Sequence, residues 1–233
     1  MRDIVLIHTS DVHIDDADGD GYHSGTPGLR AVLHAAGEVN ADVILLAGDT
    51  FDNPRVKPAA LHAAAALLAG AGRPVVMLPG NHDPLLDPCI FRRSGIADLP
   101  HVQVFGIHAP EVIAFETLGL EISGKPHVSF ENMAPFHPPR TRTARFHVVM
   151  AHGHYVPPED WADQAHRSWL ISNDALAETG ADYIALGHWD RPTPAGDGRV
   201  RAYYSGSPKL AKTANVVRLG DTVTVERHAL RWC

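Results

Sequence analysis

Five stretches of this 233-residue chain each run from an apolar segment into side chains able to hold a divalent metal. After residues 4–7 come Asp11 and His13, and after residues 43–47 comes Gly48-Asp49-Thr50-Phe51-Asp52. Residues 75–78 lead into Gly80-Asn81-His82-Asp83, and residues 146–151 into His152-Gly153-His154. Residues 183–186 lead into Gly187-His188-Trp189-Asp190. Carboxylate, amide oxygen and imidazole together suit hard to borderline cations such as manganese, iron or zinc. Each feature alone has an ordinary explanation. A histidine at a strand end is usually a surface or satisfied residue, Asp49 alone suits a helix cap, and Asn81-His82-Asp83 alone suits a turn. Five such groups after five strand-like runs are hard to explain as independent caps, and a metal site accounts for all of them.

The elements that must position these groups are legible. Runs 4–7, 43–47, 75–78, 102–107, 146–151 and 183–186 have the length and β-branched content of strands. Ala- and Leu-rich stretches 28–39 and 58–68 read as helices, with Pro27 and Pro58 in the first turn, where proline is tolerated. Strand, helix, strand, helix, strand predicts a parallel sheet with right-handed crossovers. Ligands gather beyond the carboxyl ends of such strands, so the five groups should converge. Gly48, Gly80, Gly153 and Gly187 let the backbone turn beside them. A helix is expected over 173–179, strands over 203–205, 216–219 and 222–225, and a hairpin at Gly220-Asp221. These elements predict an α/β sandwich of two sheets forming one domain, 1–233. Loop 15–25 is polar and Gly-rich but lacks the spacing and closing glutamate of an EF-hand, and loop 132–145 is rich in Pro and Arg.

With 45% hydrophobic and 20% charged residues, composition excludes disordered, collagen-like and coiled-coil readings. No apolar run approaches the roughly eighteen residues of a membrane span, and no signal-peptide cleavage pattern follows the N-terminus. The two cysteines, Cys89 and Cys233, imply no disulfide framework, and a cytoplasmic location fits. A net charge of -7 counts against sequence-independent nucleic-acid binding. Sixteen histidines are unusual, but only their positions carry meaning.

Asp-x-His, Gly-Asp-x-x-Asp, Gly-Asn-His-Asp, a later His-Gly and a Gly-His-x-x element, in that order, resemble the calcineurin-like metallophosphoesterases. Tyr204-Ser205-Gly206-Ser207-Pro208 is similar to a segment of the SbcD-like exonuclease branch. The resemblance runs from Asp11 to about Lys209. It implies a four-layer αββα sandwich, two mixed β-sheets flanked by helices, with a two-metal centre at one edge. Carried over by matching position, Asp11 and His13 bind metal one, Asp49 bridges, and Asn81, His152 and His188 complete metal two. The family's last ligand falls on Asp190, where most members have histidine, and His154 is a second candidate for that place. The resemblance makes His82 the proton donor to the leaving oxygen and Asp52 the carboxylate that orients it. The implied cofactors are two divalent metal ions, manganese foremost with iron or zinc as alternatives, and the implied chemistry is attack by a hydroxide held between them.

The substrate is less legible. Asn53-Pro54 after Asp52, and Asp83 after His82, depart from the Gly-Asp-x-x-Asp-Arg-Gly and Gly-Asn-His-Glu of protein Ser/Thr phosphatases. The sequence sits nearer the SbcD-like exonucleases and small bacterial phosphodiesterases. A small phosphodiester or phosphomonoester is the expected substrate, with no duplex DNA and no membrane as partner. The alternative is an exonuclease of the SbcD type, although the 25 residues after Pro208 leave little room for its DNA-capping region. Arg140, Arg142 and Arg145 suit phosphate oxygens, and Trp161, Trp169 and Trp189 suit a flat group. An alternative of another class is a catalytically weak scaffold of the same fold. The presence of His82 and at least six presumed ligands favours an enzyme.

Overall fold

The computed structural model describes residues 2–16, 26–163 and 168–232, so loop 15–25 from residue 17 onward and Cys233 lie outside the described residues. In chain order the strands are β1 (Ile4–Thr9), β2 (Val43–Ala47), β3 (Val75–Leu78), β4 (Val102–Val104), β5 (Val112–Phe115), β6 (Leu120–Gly124) and β7 (Phe146–His152). They continue with β8 (His154–Tyr155), β9 (Leu170–Ile171), β10 (Tyr183–Gly187), β11 (Thr193–Ala195), β12 (Ala202–Tyr204), β13 (Thr213–Leu219) and β14 (Val223–Ala229). The helices are α1 (Pro27–Glu38), α2 (Pro58–Ala69), α3 (Ile90–Arg93), α4 (Asn173–Glu178) and α5 (Pro208–Ala211).

The first six-stranded sheet has the order β14-β13-β1-β2-β3-β4, and the second the order β11-β12-β10-β7-β6-β5. In each, four strands run parallel and the rest close one or both edges antiparallel. Every residue of β1, β2, β3, β7 and β10 is buried, because both faces of these strands are covered. Alternation sorts the side chains. Leu6, Leu45 and Val76 meet Val148, Met150 and Tyr183 between the sheets. Ile7, Ile44, Leu46 and Met77 face outward onto α1 and α2, whose Leu29, Val32, Leu61 and Leu68 cover them. Val149, Ala151 and Ile184 pack against Leu176 of α4 on the far side. The result is the layered α/β sandwich of two mixed sheets flanked by helices.

Helices α1 and α2 begin at Pro27 and Pro58, and the Gly220-Asp221 hairpin joins β13 to β14. The strand expected over 102–107 stops at Val104. There the Val104 N–H turns to the His108 ring at 2.9 Å, and Gly106 takes a left-handed φ of 78°. Strands β5 and β6 had no forecast. β6 carries Glu121 and Ser123 among its apolar residues, so its burial comes from neighbours rather than from composition. A polar seam crosses the gap between the sheets below the site. His8 Nδ1 lies 2.8 Å from the Tyr183 hydroxyl, Ser10 Oγ 3.1 Å from Ser205 Oγ, and Asn215, the register partner of His8, donates to the Tyr204 carbonyl.

Candidate metal centre

The carboxyl ends of β1, β2 and β3 in one sheet meet those of β7 and β10 in the other. The segment after β1 runs along the segment after β2, with Asp11 N–H donating to Gly48 O and His13 N–H to Asp49 O, both at 3.0 Å. Asp11, His13, Asp49 and His188 all have positive φ, at 53°, 50°, 52° and 103°. Side chains other than glycine rarely take that region, so the surrounding bonds hold strained turns in order to aim these donors inward. Glycine is required at Gly48, where φ is 93° and a Cβ would strike the His152 ring.

Two groups of donors share Asp49. In the first, ligand atoms of Asp11, His13 and Asp49 lie within 4.8 Å of one another, with His13 Nε2 at 4.0 Å from each carboxylate. In the second, His152 Nε2 lies 3.1 Å from Asp49 Oδ2 and 3.0 Å from Asn81 Oδ1, and His188 Nδ1 lies 3.1 Å from that same amide oxygen. Ligands about 2.1 Å from one ion stand roughly 3.0–3.4 Å apart along the edges of its coordination polyhedron. The second group already has those edges, and the first is wider.

The outer nitrogens are held. His152 Nδ1 faces the Ala47 carbonyl at 2.9 Å, which leaves Nε2 as the inward donor. His13 Nδ1 faces Asp52 Oδ1 at 3.3 Å, a carboxylate–imidazole arrangement that turns Nε2 toward Asp11 and Asp49. Asp11 accepts the His188 N–H, and Asp49 accepts the His82 N–H at 2.9 Å.

The electrostatics describe a site built for positive charge. Burial works to raise the Asp49 carboxyl, but the charge and hydrogen bond of His152, with His82 and His13, hold it below the ordinary range. Burial raises Asp11 against the pull of His152. It also works to lower His152, yet the charge and bond of Asp49 outweigh it and push that imidazole up to about 9. His188 is pushed down to about 3, first by burial and then by the charge of His152. Two carboxylates buried this deeply need cations nearby, and the mixed oxygen and nitrogen donors fit divalent metal ions.

His82 stands beside this centre with its side chain 44% exposed. Its Nδ1 lies 2.7 Å from the main-chain carbonyl of Asp52, whereas the Asp52 carboxylate is 4.0 Å away and nearer to His13. The expected pairing of Asp52 with His82 is therefore divided: the backbone of Asp52 positions His82, and its side chain positions His13. Asp190 joins neither of the two His/carboxylate clusters among the described residues, Asp11–His13–Asp49 and His13–Asp52–His82; its carbonyl accepts the Ser207 N–H. His154 Nδ1 accepts the Trp189 indole N–H at 3.0 Å, so that nitrogen is committed outside the site.

Three expectations for substrate contact are corrected. Arg140 pairs with the buried Glu121, Arg142 with Asp182, and Arg145 lies over the Phe146 ring. Phe146 begins β7 and Glu121 lies on β6 beside His147, so both are about 17–20 Å along the strand from His152. Trp169 does reach the site, packing edge-on against His127 and His188. Trp189 stacks on Tyr204, and Trp161 is exposed in a 3-10 turn.

Two positioning residues had no forecast. Asp83 is fully buried and accepts the Phe51 N–H at 3.0 Å and the Gly80 N–H at 2.7 Å, tying the turns that carry Asp49 and Asn81 together. Burial and the charge of Asp49 push it up to about 7. His127 is buried and donates through Nε2 to the His152 carbonyl at 3.0 Å. The only signal for Asp83 was its place after His82, and a lone histidine after Pro126 gave none.

A two-sheet sandwich with paired carboxylate–imidazole groups at the strand ends is the architecture of a metal-dependent phosphoester hydrolase. The sequence model of the calcineurin-like phosphoesterases matches residues 4–192, which hold all the residues of both groups, and the chain belongs to that family. It is 29% identical over 209 residues to the metallophosphoesterase YhaO of Bacillus subtilis, covering 81% of this chain and 49% of that protein. It is 25% identical over 271 residues to the SbcD component of the SbcCD nuclease of the same organism, covering 94% and 65%. The chain thus spans between about half and two thirds of these relatives. Among solved structures, TT1561 of Thermus thermophilus superposes with a TM-score of 0.65 at 13% identity, covering 98% of this chain and all of that one. A Staphylococcus aureus protein assigned as a 5′-nucleotidase gives 0.62 at 15% identity, covering 99% and 54%. At these identities the structural likeness is one of fold. No helix among the described residues is long and apolar enough to cross a membrane.

Proposed function

We propose that this phosphoester hydrolase is a binuclear phosphodiesterase of small esters, with His82 as general acid. The observation that carries the reading is that Asp49 belongs to the Asp11–His13 cluster and also meets His152, whose Nε2 meets Asn81 beside His188, with a solvent-open imidazole next to them. Asp49, Asn81, His152 and His188 would hold one ion, and Asp11, His13 and Asp49 the other. When bound, such ions supply Lewis-acid charge at the phosphoryl oxygens and lower the pKa of water. The chain itself holds the acid. The Asp52 carbonyl keeps a proton on His82 Nδ1 in either charge state, so the exchangeable proton sits on Nε2. The two carboxylates of the Asp11 group favour manganese. A reducing cytoplasm suits a chain with two cysteines, of which Cys89 is a free thiol.

Small esters are favoured over duplex DNA by the net charge of -7 and by the commitment of Arg140, Arg142 and Arg145 to partners away from the site. The test is manganese-dependent hydrolysis of bis(4-nitrophenyl) phosphate, expected in the wild type and lost in Asp49→Ala together with most bound metal. No hydrolysis with any divalent metal would favour the scaffold reading. Processive degradation of linear duplex DNA, faster than small diesters and lost in Asp49→Ala, would favour the nuclease.

A further inference from the structure

A cleft of about 550 Å³ opens directly beside His82, bounded by Asp52, Arg55, Asn81, His82, Leu86 and Phe130. If His82 protonates the leaving oxygen, the group attached to that oxygen lies on the His82 side, which is this cleft. Its walls have a particular chemistry. Phe130 presents an aromatic ring that is 60% exposed and free to stack. Arg55 is exposed, and its guanidinium has no hydrogen-bond or ion-pair partner among the described residues.

Both side chains stand on held backbone. Before Phe130, His127 N–H donates to Pro79 O and His127 O accepts from Leu85 N–H. After it, Glu131 O accepts the Trp169 indole N–H, and Asn132 Oδ1 accepts the Trp169 main-chain N–H. Arg55 N–H donates to Asn53 Oδ1, and Arg93 reaches up to donate to the carbonyls of Pro54 and Val56 at 2.6 and 3.2 Å. An exposed ring and a cation unpaired among the described residues, each on anchored loops and facing one cleft, form a recognition surface for something flat and anionic.

We infer that this cleft is the leaving-group subsite. Phe130 stacks on a flat ring of the departing alcohol, and Arg55 pairs with a second anionic group on it. A nucleoside monophosphate has that chemistry, so the substrate class is a short nucleotide diester. The inference rests on the phosphodiesterase reading. In the reaction, water oxygen bonds to phosphorus, the bond from phosphorus to the leaving nucleotide's oxygen breaks, and that oxygen takes the proton of His82 Nε2. The proton released by the water restores His82.

The experiment compares the 5′-phosphorylated dinucleotide pdApdA with two analogues, one lacking the 5′-phosphate and one abasic at the first nucleoside. The wild type should lose about 5- to 100-fold in kcat/KM on removal of the base, and on the order of 10-fold on removal of the phosphate. Phe130→Ala should collapse the first ratio while keeping the second, and Arg55→Gln the reverse. No wild-type preference, or an equal loss on all three substrates in either variant, overturns the subsite. Hydrolysis of bis(4-nitrophenyl) phosphate without cleavage of pdApdA overturns it too, while leaving the phosphodiesterase reading in place. If neither diester is cleaved, that reading fails, and titration of metal-free protein with dAMP still decides the cleft. Binding weakened in both variants supports it, and no binding to the wild type rejects it.

Discussion

At the scale of single residues, the site divides labour between side chain and main chain. The Asp52 carboxylate faces His13, whereas its carbonyl holds His82. Asp52→Asn should therefore loosen the His13 side of the centre, with metal affinity falling about 10–100-fold, as for other carboxylates behind a ligating imidazole. Discrimination between leaving groups should persist, because the carbonyl at residue 52 remains. Competition titration with manganese and a leaving-group series on the same variant read the two effects apart. If leaving-group sensitivity vanished instead, the carboxylate would be acting through His82. His82→Gln should show the complementary pattern. General acids contribute on the order of 10²–10⁴-fold, mostly where the departing alkoxide is basic. Alkyl diesters should slow far more than 4-nitrophenyl esters, and equal slowing would assign His82 to holding phosphate.

At the scale of elements, the ends of β2 and β10 must almost touch for ligands from two sheets to meet. Gly187 is where they do so. A Cβ there would collide with the Ala47 carbonyl and come within 2.7 Å of His152 Nδ1 and 2.8 Å of Ser10 Cβ. The Ala47 carbonyl is the acceptor that fixes the His152 ring, so the collision would push apart the two groups that set that ligand. Gly187→Ala should cost about 2–3 kcal/mol, the upper range for overfilling a packed interior. Urea denaturation should show that loss together with weakened metal retention. Unchanged stability would mean the sheets can separate at this point without cost.

At the scale of the whole molecule, the two sheets are joined by apolar packing and by the buried seam of His8, Tyr183 and Asn215. Burial pushes His8 down to about 3, well below the unfolded value near 6.5. Below pH 6.5 the unfolded chain takes up a proton there that the folded chain refuses. Stability from this group is thus lost as pH falls from about 6.5 toward 3, by about 2 kcal/mol at pH 5. Chelator-stripped protein should lose denaturation midpoint over that window, and His8→Gln should flatten the loss. Equal slopes in the two proteins would remove His8 as the cause.

The sequence by itself determined most of the donor positions of the candidate metal centre. Gly48-Asp49, Gly80-Asn81-His82 and His152-Gly153 are local signals, because a ligand at the end of a buried strand needs a tight turn within a residue or two. The central strands were equally legible, being apolar on both faces, as were α1 and α2 with their initial prolines. What failed depends on contacts between distant segments. Strand β6 is polar enough to pass for a loop and is a strand because β7 and β5 pair with it. Arg140 and Arg142 have the chemistry of phosphate binders, but Glu121 and Asp182 stand opposite them at the far end of the sheet. Asp52 had two groups to offer and one neighbour expected, and only the tertiary structure decided which group meets which histidine. The cleft beside His82 unites Arg55, on the loop after β2, with Phe130, on the loop after β6, and no spacing links them. Local turn chemistry is written within a few residues, whereas pairing, charge compensation and cavities are properties of segments that become neighbours only when the sheets close.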